Sequence, residues 1–136
     1  MADLFEYALI RVVPRVERGE CVNVGVVLWC RRAGFLGARC VVDRERLTAL
    51  DPYLDIDAVA AQLAAVCQVC EGGAAAGPVA ALSGGERFRW LTAPRSTVVQ
   101  TSPVHSGFTD DPAAELERLV GLLVVPPGPP GGKASA

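Results

Sequence analysis

Between positions 21 and 30 the chain runs Cys-Val-Asn-Val-Gly-Val-Val-Leu-Trp-Cys, almost without a polar residue. A strand with one wet face alternates apolar and polar side chains. A run this unbroken therefore predicts a strand covered on both faces and central in its sheet. The segment before it, residues 4–13, is apolar and rich in aromatic and β-branched residues, and Pro14 ends it by removing a ladder donor. After Arg31-Arg32-Ala33-Gly34, residues 35–42 read as a third strand, and the short connections favour an antiparallel meander.

Helical signals follow. Asp43 can cap a short helix through Leu50, which Asp51-Pro52 breaks. Asp55 caps the best-defined helix, in which Ile56, Val59, Ala60, Leu63, Val66, Cys67 and Cys70 recur at helical spacing and Gly72-Gly73 ends the pattern. Residues 72–81 read as a loop of small residues, and a short helix is expected at 84–91. A strand is expected at 97–101, with Pro103 and Gly107 ending the extended region. Asp111-Pro112 opens a last helix with Leu116, Leu119, Val120 and Leu123 on one face. Strands first and helices afterwards indicate an α+β domain: a small antiparallel sheet, three-stranded meander plus a later strand, with helices packed on one face. We assign residues 1–125 to a single domain and read the Pro/Gly-rich 126–136 as a disordered tail.

The formal net charge of −2 argues against a surface wholly devoted to nucleic acid or membrane, so any polyanion site must be a local patch. No secretory leader or membrane-spanning run is evident, and the expected location is cytoplasmic. The odd count of five cysteines, without a framework spacing, fits that reading. Cys67-Gln68-Val69-Cys70 has the form C-x-x-C, but it falls at a helix C-terminus, where the dipole raises a thiol pKa, so the pair is read as core packing. No metal and no cofactor is expected. Leu82-Ser83-Gly84-Gly85-Glu86 resembles the signature motif of ABC transporter ATPases. The chain has no phosphate-binding G-x-x-x-x-G-K-[ST], so Ser83 and Glu86 are read as a capping box.

Two interruptions and one basic stretch carry the functional expectations. Asn23 and Gly25 break the central apolar run. Gly25 marks a bulge or a close backbone approach, and Asn23 is expected to tie its strand to the Arg95-Ser96 loop, with ligand contact as the alternative. From Arg87 to Phe108 there is no acidic residue, and Arg89, Trp90, Arg95, Ser96 and His105 lie in that stretch. Guanidinium forks suit phosphate or carboxylate, and Trp90 suits stacking. The bland reading is a solvated basic face with Trp90 in the core. Arg15 and Arg18, with Glu20, would extend the patch if the first hairpin lies beside it. His105, the only histidine, is the one obvious general base, but no triad partner is adjacent, and the catalytic residues are unknown.

The segments from Gly19 through Leu28 and from Glu86 through Gln100 resemble a bacterial family known as domain of unknown function 3037, over roughly residues 5–124. The positions carrying the likeness here are Gly19, Glu20, Asn23, Gly25, Arg89, Pro94, Arg95, Ser96 and His105. Cys21 and Trp29 stand where aromatic or aliphatic residues are usual. Members are often encoded beside a HipA-like kinase protein, so the resemblance implies a partner protein in a toxin–antitoxin-like or regulatory pair. The expected function is that of a non-enzymatic accessory subunit, with the arginine segment and the first hairpin as its contact surface. The alternative is a nucleotide- or nucleic-acid-binding domain, extending to an enzyme that processes phosphoryl or phosphodiester groups, with Arg89, Arg95, Ser96 and His105 on a phosphate-bearing ligand. A concave pocket joining Asn23, Arg95 and His105 would favour that alternative, and a flat apolar patch the partner.

Overall fold

Alternation along the first strand sets the architecture. In the computed structural model, which describes residues 2–73 and 77–128, β1 (Asp3–Val12) turns Ala8, Ile10 and Val12 to one face and Phe5, Tyr7 and Leu9 to the other. β2 (Val22–Cys30) and β3 (Phe35–Cys40) continue the meander antiparallel, as expected. β4 (Val99–Thr101) and β5 (His105–Thr109) both pair with β1, β4 at its C-terminal half and β5 at its N-terminal half. The order is β3-β2-β1-β4, with β5 on the same side of β1 as a second segment.

That second segment departs from the expectation that Pro103 and Gly107 end the extended region. Pro103 has no N–H for the ladder, but the strand resumes two residues later. Ser102 holds the break together: its N–H donates to the Leu9 carbonyl at 2.8 Å, and its hydroxyl accepts from the Leu9 N–H at 2.8 Å. The hydroxyl replaces the ladder partner that the kink removes.

β2 is covered on both faces, as its apolar run requires. Val24 and Val27 join the core beneath α1 (Arg44–Leu50), α2 (Ile56–Glu71) and α3 (Gly84–Leu91), whereas Val26, Leu28 and Cys30 join a second core beneath α4 (Pro112–Leu123). Val24 and Val27 share a face because β2 bulges: Ile10 pairs with Gly25 and Arg11 with Asn23, leaving Val24 as the extra residue. Gly25 is required there, since a Cβ would lie 2.7 Å from the Arg39 carbonyl oxygen and 2.9 Å from Cys40 Sγ. The α+β class is as read. The helices, however, lie on both faces of the sheet and not on one.

Asp43, Asp55 and Asp111 accept from the N–H groups of Arg46, Ala58 and Ala114 at 3.2, 3.0 and 3.2 Å, so each expected N-cap is in place. Ser83 and Glu86 form the capping box of α3. Asp51 ends its helix, as Asp51-Pro52 leads one to expect. It caps the C-terminus of α1 and is buried, 8 % exposed. Within the loop expected at 72–81, a short 3-10 turn forms at Val79–Ala81, and residues 74–76 lie outside the described residues. Of the tail read as disordered, residues 129–136 also lie outside them. No helix of the described residues is long and apolar enough to cross a membrane.

Candidate binding surface

The nine residues singled out from the sequence occupy three places. Arg15, Arg18 and Glu20 sit at the tip of the β1–β2 hairpin, where a 3-10 turn (Val16–Arg18) ends on Gly19 in the left-handed region at φ 69°. Arg15 Nε lies 3.2 Å from Asp51 Oδ2, and Arg18 Nε donates to Glu20 Oε1 at 2.5 Å. The hydrogen bond and charge between Arg18 and Glu20 raise the arginine pKa and lower that of the carboxylate. Both side chains are exposed, so this pair is easily exchanged for another partner.

Arg89, Trp90, Arg95 and Ser96 sit on α3 and the loop after it. Trp90 is 44 % exposed, not in the core. The Arg95 guanidinium stacks over the indole with its central carbon 4.4 Å from the ring centroid, and its Nη2 donates to the Trp90 carbonyl at 2.5 Å. Such a stack fixes the arginine and leaves one indole face as a platform edge. Arg89 and Ser96 are exposed. Arg87, in the same sequence stretch, is occupied structurally. Its Nη1 donates to the carbonyls of Val69 and Cys70 at 2.8 and 2.7 Å, satisfying the last turn of α2.

Asn23 and His105 lie on the opposite, α4-covered face. Asn23 pairs across from Arg11, and His105 pairs across from Tyr7 with ring centroids 5.4 Å apart. Those β1 positions are four residues, roughly 13 Å, apart along the strand. Asn23 Nδ2 donates to the Leu123 carbonyl at 3.1 Å. It is an internal tie, as expected, but to the end of α4 and not to the Arg95-Ser96 loop. That loop lies beyond the other face of the sheet, with Val99 and Leu91. Asn23 and His105 therefore lie across the sheet from Arg95, which sits with Ile10 and Val27, and the three do not converge on one pocket.

What the tertiary structure does join is the hairpin and the arginine segment. A groove follows α2. It consists of two clefts that meet at Gln62: one is walled by Arg15, Asp51 and Tyr53 and reaches Val98, and the other runs past Val66 and Val69 to Trp90 and Arg95. From Ala58 to Val69 it follows the helix axis for about 16 Å at ~1.5 Å per residue. Its Trp90 end encloses about 280 Å³. The opposite wall is β4, a short edge strand whose Val99 carbonyl already accepts from the Thr97 hydroxyl at 2.8 Å. That edge is blunted, so an occupant would meet side chains and not pair with the strand. Val66 shares the helical spacing of the core residues, and the groove was not legible because it depends on which distant segments pack beside α2. Tyr53, 87 % exposed at the groove's other end, was likewise missed.

Of the C-x-x-C pair read as core packing, Cys70 is in the core and Cys67 is half-buried. Cys70 is buried, and burial first, then neighbouring Cys67, pushes its thiol up to about 12. Burial and Cys67 do the same for Cys40, up to about 12. Cys21 is exposed. Among the described residues, no group of three or more His, Cys, Asp and Glu side chains is arranged to hold a metal ion.

The family model described as "Protein of unknown function (DUF3037)" matches residues 7–124, and the chain belongs to that family. No curated protein and no solved structure matches the chain.

Proposed function

From that family membership, which carries no activity with it, we propose that the protein is a non-enzymatic accessory subunit that docks a partner protein along α2. The observation that carries this reading is the groove itself. It links the two sequence-marked segments through Gln62, it is apolar along Ala65, Val66, Val69 and Val99, and it ends on an exposed tryptophan with an arginine stacked on it. Trp and Arg are the residues that most often anchor interfaces. The separation of His105 from Arg95 and Ser96 favours docking over chemistry, because a catalytic site needs nucleophile, base and charge-stabilising donors to converge. The HipA-like kinase protein implied by the family resemblance is the proposed partner, in a toxin–antitoxin-like pair, with the cytoplasm as the proposed location.

The test is co-expression with that kinase-like protein, followed by association measurements with Trp90→Ala and Val66→Arg variants. Binding that tolerates added salt and falls in both variants is expected, since an interface with an apolar centre responds weakly to screening. Titrations with ATP and with single-stranded and duplex nucleic acid at low salt should give negligible affinity. Oligonucleotide binding that fades steeply with salt and is lost in Arg95→Lys would establish the nucleic-acid reading instead.

A further inference from the structure

We propose that the cleft at the hairpin end of the groove is a separate binding site for a small molecule that carries an oxyanion group, carboxylate or phosphate, next to a flat ring. The cleft encloses about 460 Å³ and is lined by Arg15, Arg18, Glu20, Asp51 and Tyr53 over an apolar floor that includes Leu50. That volume lies within the range of small-molecule sites, about 300–1,000 Å³. The proposal does not depend on the docking of a protein farther along α2.

The two guanidiniums are held in place without being used up. Arg15 spends its Nε on Asp51, and Asp51 is itself fixed by accepting from the Tyr53 N–H at 2.9 Å through its other oxygen. Arg18 spends its Nε on Glu20. Neither arginine makes another ion pair among the described residues, and both side chains remain more than half exposed, at 51 % and 61 %. Their Nη donors are therefore free for a planar anion, which guanidinium recognises bidentately. Pro14 and Pro52 restrict the backbone on both walls, so little ordering is needed on binding. Tyr53 stands at the rim with its ring in solvent, suited to cover a ligand ring.

Charge decides the details. The cleft holds two arginines against Glu20 and Asp51, so it is formally neutral. Asp51 is buried and committed to Arg15, whereas Glu20 is exposed and paired with Arg18. An incoming oxyanion takes the free Nη donors while Glu20 stays on Nε, and the nearby carboxylate charge weakens that binding.

The experiment titrates the full chain with inorganic phosphate, phenyl phosphate and benzoate, followed by NMR chemical shifts, with melting curves confirming that each variant is folded. At least one ring-bearing probe should bind saturably. Arg18→Lys should weaken it about tenfold, the equivalent of one charge-assisted hydrogen bond. Glu20→Gln should strengthen it by removing a negative charge beside the anion. Tyr53→Ala should weaken phenyl phosphate or benzoate while leaving inorganic phosphate unchanged. Phenyl phosphate bound more tightly than benzoate assigns a phosphate ligand, and the reverse order a carboxylate. Absence of saturable binding by all three probes, or binding that Arg18→Lys and Glu20→Gln leave unchanged, would overturn the proposal.

Discussion

On the face beneath α1, α2 and α3, the sheet is sealed by Leu47, Leu63, Phe88 and Leu91, all nearly inaccessible. On the other face α4 lies over β2 and β3, leaving Tyr7 and Arg11 of β1 partly exposed and His105 of β5 exposed. The difference is one of width. A helix with its side chains is about 10–12 Å across and strands are spaced about 4.8 Å apart, so one helix covers about two strands. Three helices cover the first face and only one the second. The fully covered face also carries the groove, because two helices and an edge strand meeting over one sheet leave a seam between them.

The strongest way to break this comparison is truncation of the better-sealed core. Phe88→Ala should cost about 3–5 kcal/mol in urea unfolding, whereas His105→Ala on the open side should stay within about 0.5 kcal/mol. Equal losses would mean that the open half-face is not open in solution. Gly25→Ala should cost about 1–3 kcal/mol, because its Cβ meets the Arg39 backbone, which cannot swing aside as a side chain would.

The buried thiols give a pH-dependent version of the same test. Below about pH 9 both folded and unfolded chains keep the Cys40 and Cys70 protons. Above it the unfolded thiols ionise at their ordinary 9.0 while the folded ones hold their protons until about 12. The unfolded state then binds fewer protons, and stability falls as pH rises through that window, by up to about 1.4 kcal/mol per pH unit for each thiol. Urea midpoints between pH 8 and 10 should show the decline, and a Cys40→Ala/Cys70→Ala variant should show a flatter one.

Smaller effects sharpen the contrast. Asn23→Ala removes the donor to the Leu123 carbonyl and should cost about 1 kcal/mol by thermal or urea unfolding, since the site is only partly buried. Arg95→Ala should change stability by about 0.5 kcal/mol, the worth of an exposed cation–π stack, while reducing partner association far more. A stability loss matching the binding loss would make Arg95 a structural residue.

Much of the fold was legible because its signals are local. The caps at Asp43, Asp55, Ser83 and Asp111 each depend on a side chain and a backbone N–H three residues on, and such pairs are visible in sequence. The burial of β2 on both faces was legible because each face needs its own apolar residues. Gly25 announced a bulge through the absence of a side chain. Asn23 was legible as an internal tie, but its partner lies 100 residues away. No local pattern identifies a carbonyl at that separation.

The candidate surface divides the same way. Residue type marked Arg15, Arg18, Trp90 and Arg95 as capable of binding planar or anionic groups, since that capacity belongs to the side chains themselves. Their arrangement did not follow from type. Arg87, chemically identical to Arg95, is consumed by the C-terminus of α2, and His105 and Asn23 are separated from Arg95 by the thickness of the sheet. Composition and periodicity decided that the chain would form an α+β sheet protein with capped helices, because those properties arise within a few residues. Which arginines stay free, which face each polar residue takes and where a groove opens were decided by packing between elements distant in sequence, because only there do side chains compete for the same partners.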